Sequence, residues 1–387
     1  MRINGPTAYI ILYAAMYGAF GVASPFWPKF FETKALGSEQ IGFILGAAML
    51  VRLAAGPVVG RLADLWGSLR LVLAACCALA AATAAALSEV NTFWALLAVA
   101  SLQAAALAPT TSLADALSVN SAKPERAGKP FEYGWIRGTA SAAFVVGTLT
   151  IGQFISGTDL TAIVWMNVAL LVAAAGATAL LPGAASRAPP PQSPSAAPND
   201  VHGLLRMPRF RILLVVSALV YGSHAVHDAF AVIRWSNAGM DPSLISMLWS
   251  EAVAAEVIVF LFVGPWLLRR IGTRRAAVVA ALAGIVRWSV AGLTTSVWML
   301  SLVQPLHGLT FALLHLACMR MMSSVVPINV SATAQALYAF AAAFTTATLT
   351  LASGLVYARY GGLSFLPMAL LCGVALPFAW FGFADQR

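Results

Sequence analysis

Long apolar stretches, separated by short polar or glycine-containing turns, recur along the whole 387-residue chain. About 20 apolar residues in a helix cross the hydrocarbon core of a bilayer. The pattern therefore predicts an all-α membrane protein with twelve transmembrane helices and no additional soluble domain. The predicted spans are roughly residues 7–30, 39–60, 69–88, 92–117, 131–155, 161–181, 208–233, 242–268, 275–294, 297–320, 331–357 and 362–383.

The composition supports this class. Hydrophobic residues make up 60% of the chain and charged residues 10%, which excludes an ordinary water-soluble surface. The first span is too long and too aromatic for a cleaved signal peptide, so we expect it to remain in the mature protein. All four cysteines fall within predicted spans without metal-ligand spacing, which predicts packing residues and neither a metal site nor a cofactor.

Basic residues are concentrated on one side of the threaded chain, most densely at 269–275. The net charge of +9 then follows from membrane topology and does not require a nucleic-acid partner. With both termini on the basic side, we expect a multi-pass protein of the bacterial cytoplasmic membrane. A two-bundle transporter encloses its own path, so we expect it to act as a monomer.

A proline-rich segment divides the predicted spans into two sets of six. Residues 182–206 contain six prolines and almost no large apolar side chain, which predicts a flexible cytoplasmic linker. The predicted domains are an N-terminal bundle at 1–181 and a C-terminal bundle at 207–387.

The two halves show a weak internal repeat. Tyr17 and Gly60 recur as Tyr221 and Gly264 at the same offset of 204 positions. Two matches at one offset, with equal numbers of spans, favour a parallel duplication and two pseudo-symmetric bundles.

Two charges occupy equivalent places in this repeat, because Glu256 follows Arg52 by the same 204 positions. A charge within a span costs roughly 2.5–3.5 kcal/mol on insertion scales, so it usually faces a protein interior or a water-filled cavity. At a rise of about 1.5 Å per residue, Arg287 and His307 lie near the midplane together with Glu256. These three groups could carry a proton and sense a substrate, or form a static pair that fixes helix packing.

The seventh span carries His224, His227 and Asp228 at positions i, i+3 and i+4, so His224 and Asp228 share a helical face with Tyr221. Glu251 is expected at a similar depth and could extend this network. Metal binding and ordinary interior hydrogen bonding are the alternatives. The predicted proton-coupling residues are Glu256, Asp228 and Glu251.

Arg52 has no acidic residue at its own depth in the first half. Its planar guanidinium could bind a ligand carboxylate, pair with Glu256 across the bundles, or extend toward an interface. Tyr9, Tyr13, Tyr17 and Phe20 form an aromatic stripe that could line a cavity, although packing is the simpler interpretation for Tyr9. The predicted substrate-binding residues are Arg52, Tyr13, Tyr17, His224, Arg287 and His307.

The connection after the second span reads Gly60-Arg61-Leu62-Ala63-Asp64-Leu65-Trp66-Gly67-Ser68-Leu69-Arg70. It resembles the G-x-L-A-D-x-x-G-x-x-R signature of the major facilitator superfamily, whose members use this loop to latch the cytoplasmic side. We also expect Asp115 and Arg137 to form a bridge on that side. The predicted conformational gate comprises Gly60, Asp64, Gly67, Arg70, Asp115 and Arg137.

A narrower resemblance covers nearly the whole chain. Several segments are similar to the phenylpropionate permease family, which is related in plan to lactose permease-type proton symporters. The resemblance implies proton-coupled import of a small, aromatic carboxylate by alternating access, with the proton as coupling ion. A sugar or nucleoside symporter and a drug efflux pump are the alternatives, and an enzyme is not expected because no nucleophile–base pair, phosphate loop or metal motif occurs. The segments include Ala114-Asp115-Ala116-Leu117, Gly222-Ser223-His224-Ala225, Ala255-Glu256-Val257, Val286-Arg287-Trp288 and His307-Gly308-Leu309-Thr310-Phe311.

Overall fold

The computed structural model describes residues 5–121, 133–156, 159–182 and 198–383, and every regular element in these ranges is helical. The α-helices are α1 (Gly5–Ala23), α2 (Trp27–Thr33), α3 (Ser38–Trp66), α4 (Leu69–Glu89), α5 (Phe93–Leu107), α6 (Thr110–Ser121), α7 (Tyr133–Phe154), α8 (Thr161–Ala177), α9 (Pro198–Arg206), α10 (Pro208–Gly222), α11 (Ala225–Asn237), α12 (Pro242–Ile258), α13 (Gly264–Leu293), α14 (Val297–Val303), α15 (Leu314–Val325), α16 (Ser331–Tyr360) and α17 (Phe365–Gly382).

The helices account for the twelve spans that the hydropathy pattern predicts. Nine helical segments of the described chain are long and apolar enough to cross a membrane. Two of them, Pro242–Leu293 with 52 residues and Ile328–Gly382 with 55, have the length of two spans each, since one span takes about 20 residues. The 22-residue α7 supplies the remaining span.

The seventh span differs from the prediction. The spacing of His224 and Asp228 assumed one uninterrupted helix, but α10 ends at Gly222 and α11 begins at Ala225. Ser223 and His224 occupy the break, where the backbone NH of His224 donates to the carbonyl oxygen of Tyr221 at 3.0 Å. The helical hydrogen bonds nevertheless continue past the break, because the backbone NH of Asp228 donates to the carbonyl oxygen of His224 at 2.9 Å.

Part of the predicted flexible linker is also helical. Residues 198–206 form α9, which packs against α10 and α16, and its Leu204 side chain is buried. This part of the segment is therefore helical and packed within the second unit, and the role of 182–206 as a linker stays a prediction. Residues 183–197 lie outside the described ranges.

The chain divides into two compact units. In the first, α1 packs against α7 and α8, and α4 packs against α5 and α8. In the second, α13 packs against α15 and α17, and α10 packs against α16 and α17. The first unit comprises Met1–Leu36, Ala47–Pro190 and Gly239–Met247, and the second comprises Gly37–Gly46, Pro191–Ala238 and Leu248–Arg387.

Glycines allow α1 and α7 to approach closely in the first unit. A methyl group on Gly21 would lie 2.1 Å from the carbonyl oxygen of Phe144, and one on Gly147 would lie 2.6 Å from the carbonyl oxygen of Gly18. Both distances are far below van der Waals contact. The two backbones therefore meet directly, as small residues permit between helices in a membrane.

We predict that Gly21→Ala lowers the thermal stability of the purified protein. The added methyl group must push α1 away from α7, and overpacking of this kind costs about 1–3 kcal/mol. Thermal unfolding in detergent, followed by tryptophan fluorescence, measures the effect. Gly176→Ala is the matched control, because no atom lies within 4 Å of the added methyl group there. Equal melting temperatures for the two variants would contradict the close approach.

Candidate functional site

The polar centre of the second unit is built around Arg287. This residue of α13 is only 1% exposed, and its guanidinium lies 4.5 Å from the ring centre of Trp288. Its NH1 group donates to Nδ1 of His307 at 3.0 Å, and its NH2 group donates to Oε1 of Gln304 at 3.2 Å and to Nε2 of His227 at 3.5 Å. The buried charge therefore has three acceptors for its two terminal NH2 groups, while its Nε is buried without a hydrogen-bond partner among the described residues.

These contacts decide where each histidine carries its proton. A guanidinium only donates, so the ring nitrogens that face Arg287 must be acceptors. His307 then carries its proton on Nε2, which donates to Oε2 of Glu256 at 3.2 Å. His227 carries its proton on Nδ1, which donates to Oδ1 of Asp228 at 3.1 Å. Two carboxylate–histidine pairs thus converge on one arginine.

These contacts form a chain of five residues, Asp228–His227–Arg287–His307–Glu256, which is most buried at its centre and less buried at its ends. The side chain of Asp228 is 55% exposed and that of Glu256 is 31% exposed, whereas Arg287 and His227 are buried. The two carboxylates therefore lie at the less buried ends of the chain, and the arginine lies at its buried centre.

Aromatic side chains hold the two histidines in place. The ring of His227 stacks on Trp249 with 5.0 Å between the ring centres, and the ring of His307 stacks on Phe311 at 5.5 Å. Trp288, which lies under Arg287, donates its ring NH to Oγ of Ser223 at 2.8 Å. Packing therefore restricts rotation of the rings that link Arg287 to the carboxylates.

His224 lies beside this chain in the break between α10 and α11. Its Nδ1 lies 3.0 Å from the carbonyl oxygen of Val220, and its Nε2 lies 3.1 Å from Oγ1 of Thr310. The ring centres of His224 and His307 are 5.4 Å apart. His224 is thus positioned by the backbone of the preceding helical turn.

A second polar branch begins at Tyr221. Its hydroxyl group lies 2.8 Å from that of Tyr338, which lies 3.2 Å from Nδ1 of His315. Sequence reasoning assigned no site role to Tyr338, His315 or Gln304. The available signal was a polar side chain within an apolar span, but only the fold determines which of these face the cluster.

Glu251 belongs to neither branch. Ser301 donates to its Oε1 at 2.8 Å, and its Oε2 is buried without a hydrogen-bond partner among the described residues. The contacts of Glu251 therefore lead to α14 and not to the histidines of the seventh span, with which the sequence grouped it.

A separate charged cluster lies in the first unit. Tyr13 donates to Oδ1 of Asp115 at 2.5 Å, Arg137 donates to the hydroxyl group of Tyr17, and the two tyrosine rings stack with 5.7 Å between their centres. Arg52 and Asp115 both interact electrostatically with Tyr17. The sequence placed Asp115 far from Arg52, whereas the fold brings both to the same tyrosine.

The arginines of this cluster are accessible. Arg52 is the middle residue of α3. The side chains of Arg52 and Arg137 are both exposed, whereas Tyr13 is fully buried. A direct bridge between Asp115 and Arg137 stays a prediction. One guanidinium group contacts Tyr17 directly and the other acts on it through its charge, and two such groups suit a planar anion.

The predicted gate loop has a different form from the one expected. α3 continues to Trp66, so Gly60 lies within the helix, and the turn is made at Gly67, where φ is +65°. Arg70 donates to the carbonyl oxygen of Leu181 at 3.2 Å. Asp64 makes no side-chain hydrogen bond or ion pair within the described ranges. Lys123, Arg126, Lys129 and Glu132 lie outside those ranges.

The sequence repeat has a counterpart in these contacts. Tyr17 interacts electrostatically with Arg52 in the first unit, and Tyr221 interacts with Glu256 in the second. Both pairs are related by the offset of 204 positions that the sequence showed. The two halves therefore place a tyrosine and a charge together at equivalent positions, with opposite signs of charge.

The model of the MFS_1 like family matches residues 7–366. The chain belongs to this family. It is therefore a multi-pass membrane transporter of the major facilitator superfamily and not an enzyme. The orientation of its termini stays a prediction.

Relatives of known sequence or structure agree with this assignment. A probable 3-phenylpropionic acid transporter of Escherichia coli (strain K12) is 31% identical over 94% of each chain. The maltose permease of Geobacillus stearothermophilus is 26% identical over 86% of this chain and 82% of its own. The nucleoside transporter NupG has a similar structure, with a TM-score of 0.83, 19% identity and 98% of both chains covered.

We predict that the cluster depends on the shape of Arg287 as well as on its charge. Arg287→Gln leaves both histidines without their cationic donor, and breaking a buried charged network costs about 3 kcal/mol or more. Arg287→Lys keeps the charge but lacks the planar guanidinium group. We therefore expect its melting temperature to lie between those of the wild type and Arg287→Gln. Thermal unfolding in detergent measures both. The control is Arg359→Gln, which removes an exposed arginine of the same unit. A lysine variant as stable as wild type would contradict the prediction.

Proposed function

We propose that this transporter imports a small organic carboxylate together with a proton by alternating access. The observation that carries the proposal is the hydrogen-bonded chain Asp228–His227–Arg287–His307–Glu256, in which both ends are carboxylates less buried than the central arginine. Such a chain can bind and release a proton within the membrane, where charged groups are rare and usually functional.

The hydrogen bonds of this chain leave its carboxylates as the groups that can take up a proton. Both histidines are neutral because they accept hydrogen bonds from Arg287. A charged carboxylate is unfavourable in a low-dielectric interior, so protonation of one of them removes part of that cost.

The hydrogen bonds favour Glu256 over the histidines as the group that holds this proton. Protonating His307 would turn the acceptor that faces Arg287 into a donor and place two cations in contact. Protonating Glu256 leaves the arginine contact intact and weakens only the bond from His307, because that bond loses its charge assistance. A change at Glu256 is thus transmitted to Arg287 through one imidazole ring.

The substrate carboxylate would bind in the first unit, at Arg52 and Arg137. Both guanidinium groups are exposed, Arg137 contacts Tyr17, and the ring of Tyr17 contacts Phe20 edge-on with 5.4 Å between the ring centres. An acid that carries an aromatic ring could place its carboxylate on the arginines and its ring against Tyr17 or Phe20. The 31% identity to a probable 3-phenylpropionic acid transporter supports this substrate class.

A neutral solute is the second candidate, because the maltose permease and NupG are also among the relatives. In that case the five-residue chain from Asp228 to Glu256, which we call the proton cluster, would act in the same way. Arg52 would serve as a hydrogen-bond donor to protein groups or to hydroxyl groups of the solute. Reversing the charge of Arg52 should then affect stability more than the choice of substrate.

Uptake into proteoliposomes distinguishes these candidates. The panel would contain labelled phenylpropionate and related aromatic acids, a short aliphatic acid, a sugar and a nucleoside, each with and without an inward proton gradient. We expect accumulation of an aromatic acid that is lost when the gradient is collapsed. Accumulation of only a neutral solute would favour the second candidate, and accumulation in the reverse direction would indicate efflux.

We predict that Glu256→Gln abolishes gradient-driven accumulation and retains exchange of substrate across the membrane. The amide can still accept from His307 but cannot take up a proton. Labelled substrate is measured in two assays, net uptake driven by the pH gradient and exchange at equal pH. Glu89→Gln, at an exposed position at the end of α4, is the control. Normal gradient-driven accumulation by Glu256→Gln would assign this residue a structural role.

We predict that Arg52→Gln weakens carboxylate binding more than it lowers stability. Loss of one charged hydrogen-bond donor costs about 1.5–3 kcal/mol, which corresponds to a rise in KM of roughly tenfold or more. Initial uptake rates over a range of substrate concentrations measure KM, and Arg61→Gln, an exposed arginine in the same helix, is the control. An unchanged KM for the acid would remove Arg52 from the binding site.

A further inference from the structure

One end of the second unit carries a dense group of arginines that the transport proposal does not use. We call it the arginine turn and define it as residues 269–275, which contain Arg269, Arg270, Arg274 and Arg275. Among the described residues, none of these arginines forms an ion pair within 4 Å, and all but Arg274 are classed as exposed. The chain turns here at Gly272, where φ is +75°.

Two of these guanidinium groups are held by tryptophan rings. Arg270 lies 5.6 Å from the ring centre of Trp266, and Arg274 lies 5.3 Å from that of Trp380 in α17. Each tryptophan is about half exposed. Tryptophan rings of this kind settle at the headgroup level of a bilayer, so both cations are fixed at that depth.

Aromatic residues precede the turn along one side of the helical segment, toward the apolar part of the membrane. Phe262, Trp266 and Arg270 succeed one another at intervals of four residues, so they lie along one side of the helical segment, and Phe262 is 69% exposed. The order from apolar ring to interfacial ring to cation matches the order of acyl chain, glycerol region and phosphate in a phospholipid.

Membrane topology explains why basic residues occur on this side, but it does not require two of them to be held over tryptophan rings. We propose that the arginine turn binds the phosphate of an anionic phospholipid, whose acyl chains lie along Phe262 and Trp266. The argument for this occupant is charge complementarity, because the unpaired arginines need anions and the bilayer supplies them at this depth. The site is independent of the substrate and of the proton cluster.

The chain offers a matched control at the opposite side of the membrane. Arg359 lies 5.7 Å from the ring centre of Tyr360, so it is also an arginine held over an exposed aromatic ring. It precedes the turn after the eleventh span, whereas the arginine turn follows the eighth. These turns lie on opposite sides, since the span numbers differ by an odd number. Phe262, Trp266 and Arg270 have no equivalent arrangement around Arg359.

The test compares lipid binding by the purified full-length protein in detergent. Native mass spectrometry counts bound phosphatidylglycerol or phosphatidylcholine, and thermal unfolding measures stabilisation by each lipid. We expect the wild type and Arg359→Gln to bind phosphatidylglycerol more strongly than phosphatidylcholine. For the double variant Arg270→Gln/Arg274→Gln we expect the apparent affinity to fall on the order of thirtyfold, since each arginine near an anionic headgroup contributes about a factor of five.

Three results would overturn the proposal. The first is equal phosphatidylglycerol binding by the double variant and wild type, and the second is equal binding of phosphatidylcholine and phosphatidylglycerol by wild type. The third is full stabilisation by glycerol phosphate without acyl chains, which would assign the site to a soluble phosphate. Circular dichroism and the melting temperature without added lipid check that the double variant is folded. The variant Arg270→Lys/Arg274→Lys, which keeps both charges, should retain binding and guards against a general loss of fold.

Discussion

The burial of the Arg287 guanidinium is the constraint on which the second unit depends. Burial of a cation costs free energy unless acceptors compensate it, and here the acceptors come from three places along the chain, namely His227, Gln304 and His307. Because the arginine only donates, it also decides which nitrogen of each histidine carries a proton. The positions of α11, α13 and the residues after α14 are therefore linked through one side chain.

The two units use arginine in different ways, and their arginines do not occupy matching positions of the sequence repeat, in which Arg52 corresponds to Glu256. In the first unit Arg52 and Arg137 are exposed around Tyr17, whereas in the second Arg287 is buried and surrounded by histidines. An exposed guanidinium can exchange its partner with an anion, and a buried one cannot do so without disrupting its neighbours. Under the proposed function, this difference separates carboxylate binding from proton binding.

The sequence predicted the spans and the depth of their charges, because both depend on local hydropathy and on a fixed rise per residue. Arg287, His307 and Glu256 were placed at one depth on this basis, and hydrogen bonds join them in the fold, while their roles stay predictions. The break at Ser223 and His224 could not be predicted, since no proline marks it and tertiary contacts to Thr310 and Trp288 accompany it. The helical part of the predicted linker was missed because its composition is polar and proline-rich, while burial of Leu204 depends on the neighbouring helices.

The distance between Glu256 and His307 is set by backbone packing. A π-helical turn follows each residue, at Val259–Val263 and at Leu309–Leu313, and a 3₁₀ turn at Gln304–Leu306 precedes His307. A 3₁₀ turn is wound more tightly than an α-helix and a π turn less tightly, so the chain departs from regular α-helical winding on both sides of His307. A methyl group on Gly308 would lie 2.6 Å from the carbonyl oxygen of Ala255, so the two backbones touch beside the acid and the imidazole. Any separation of these helices must therefore lengthen the contact between Glu256 and His307, and loss of that contact removes the link from the carboxylate to Arg287.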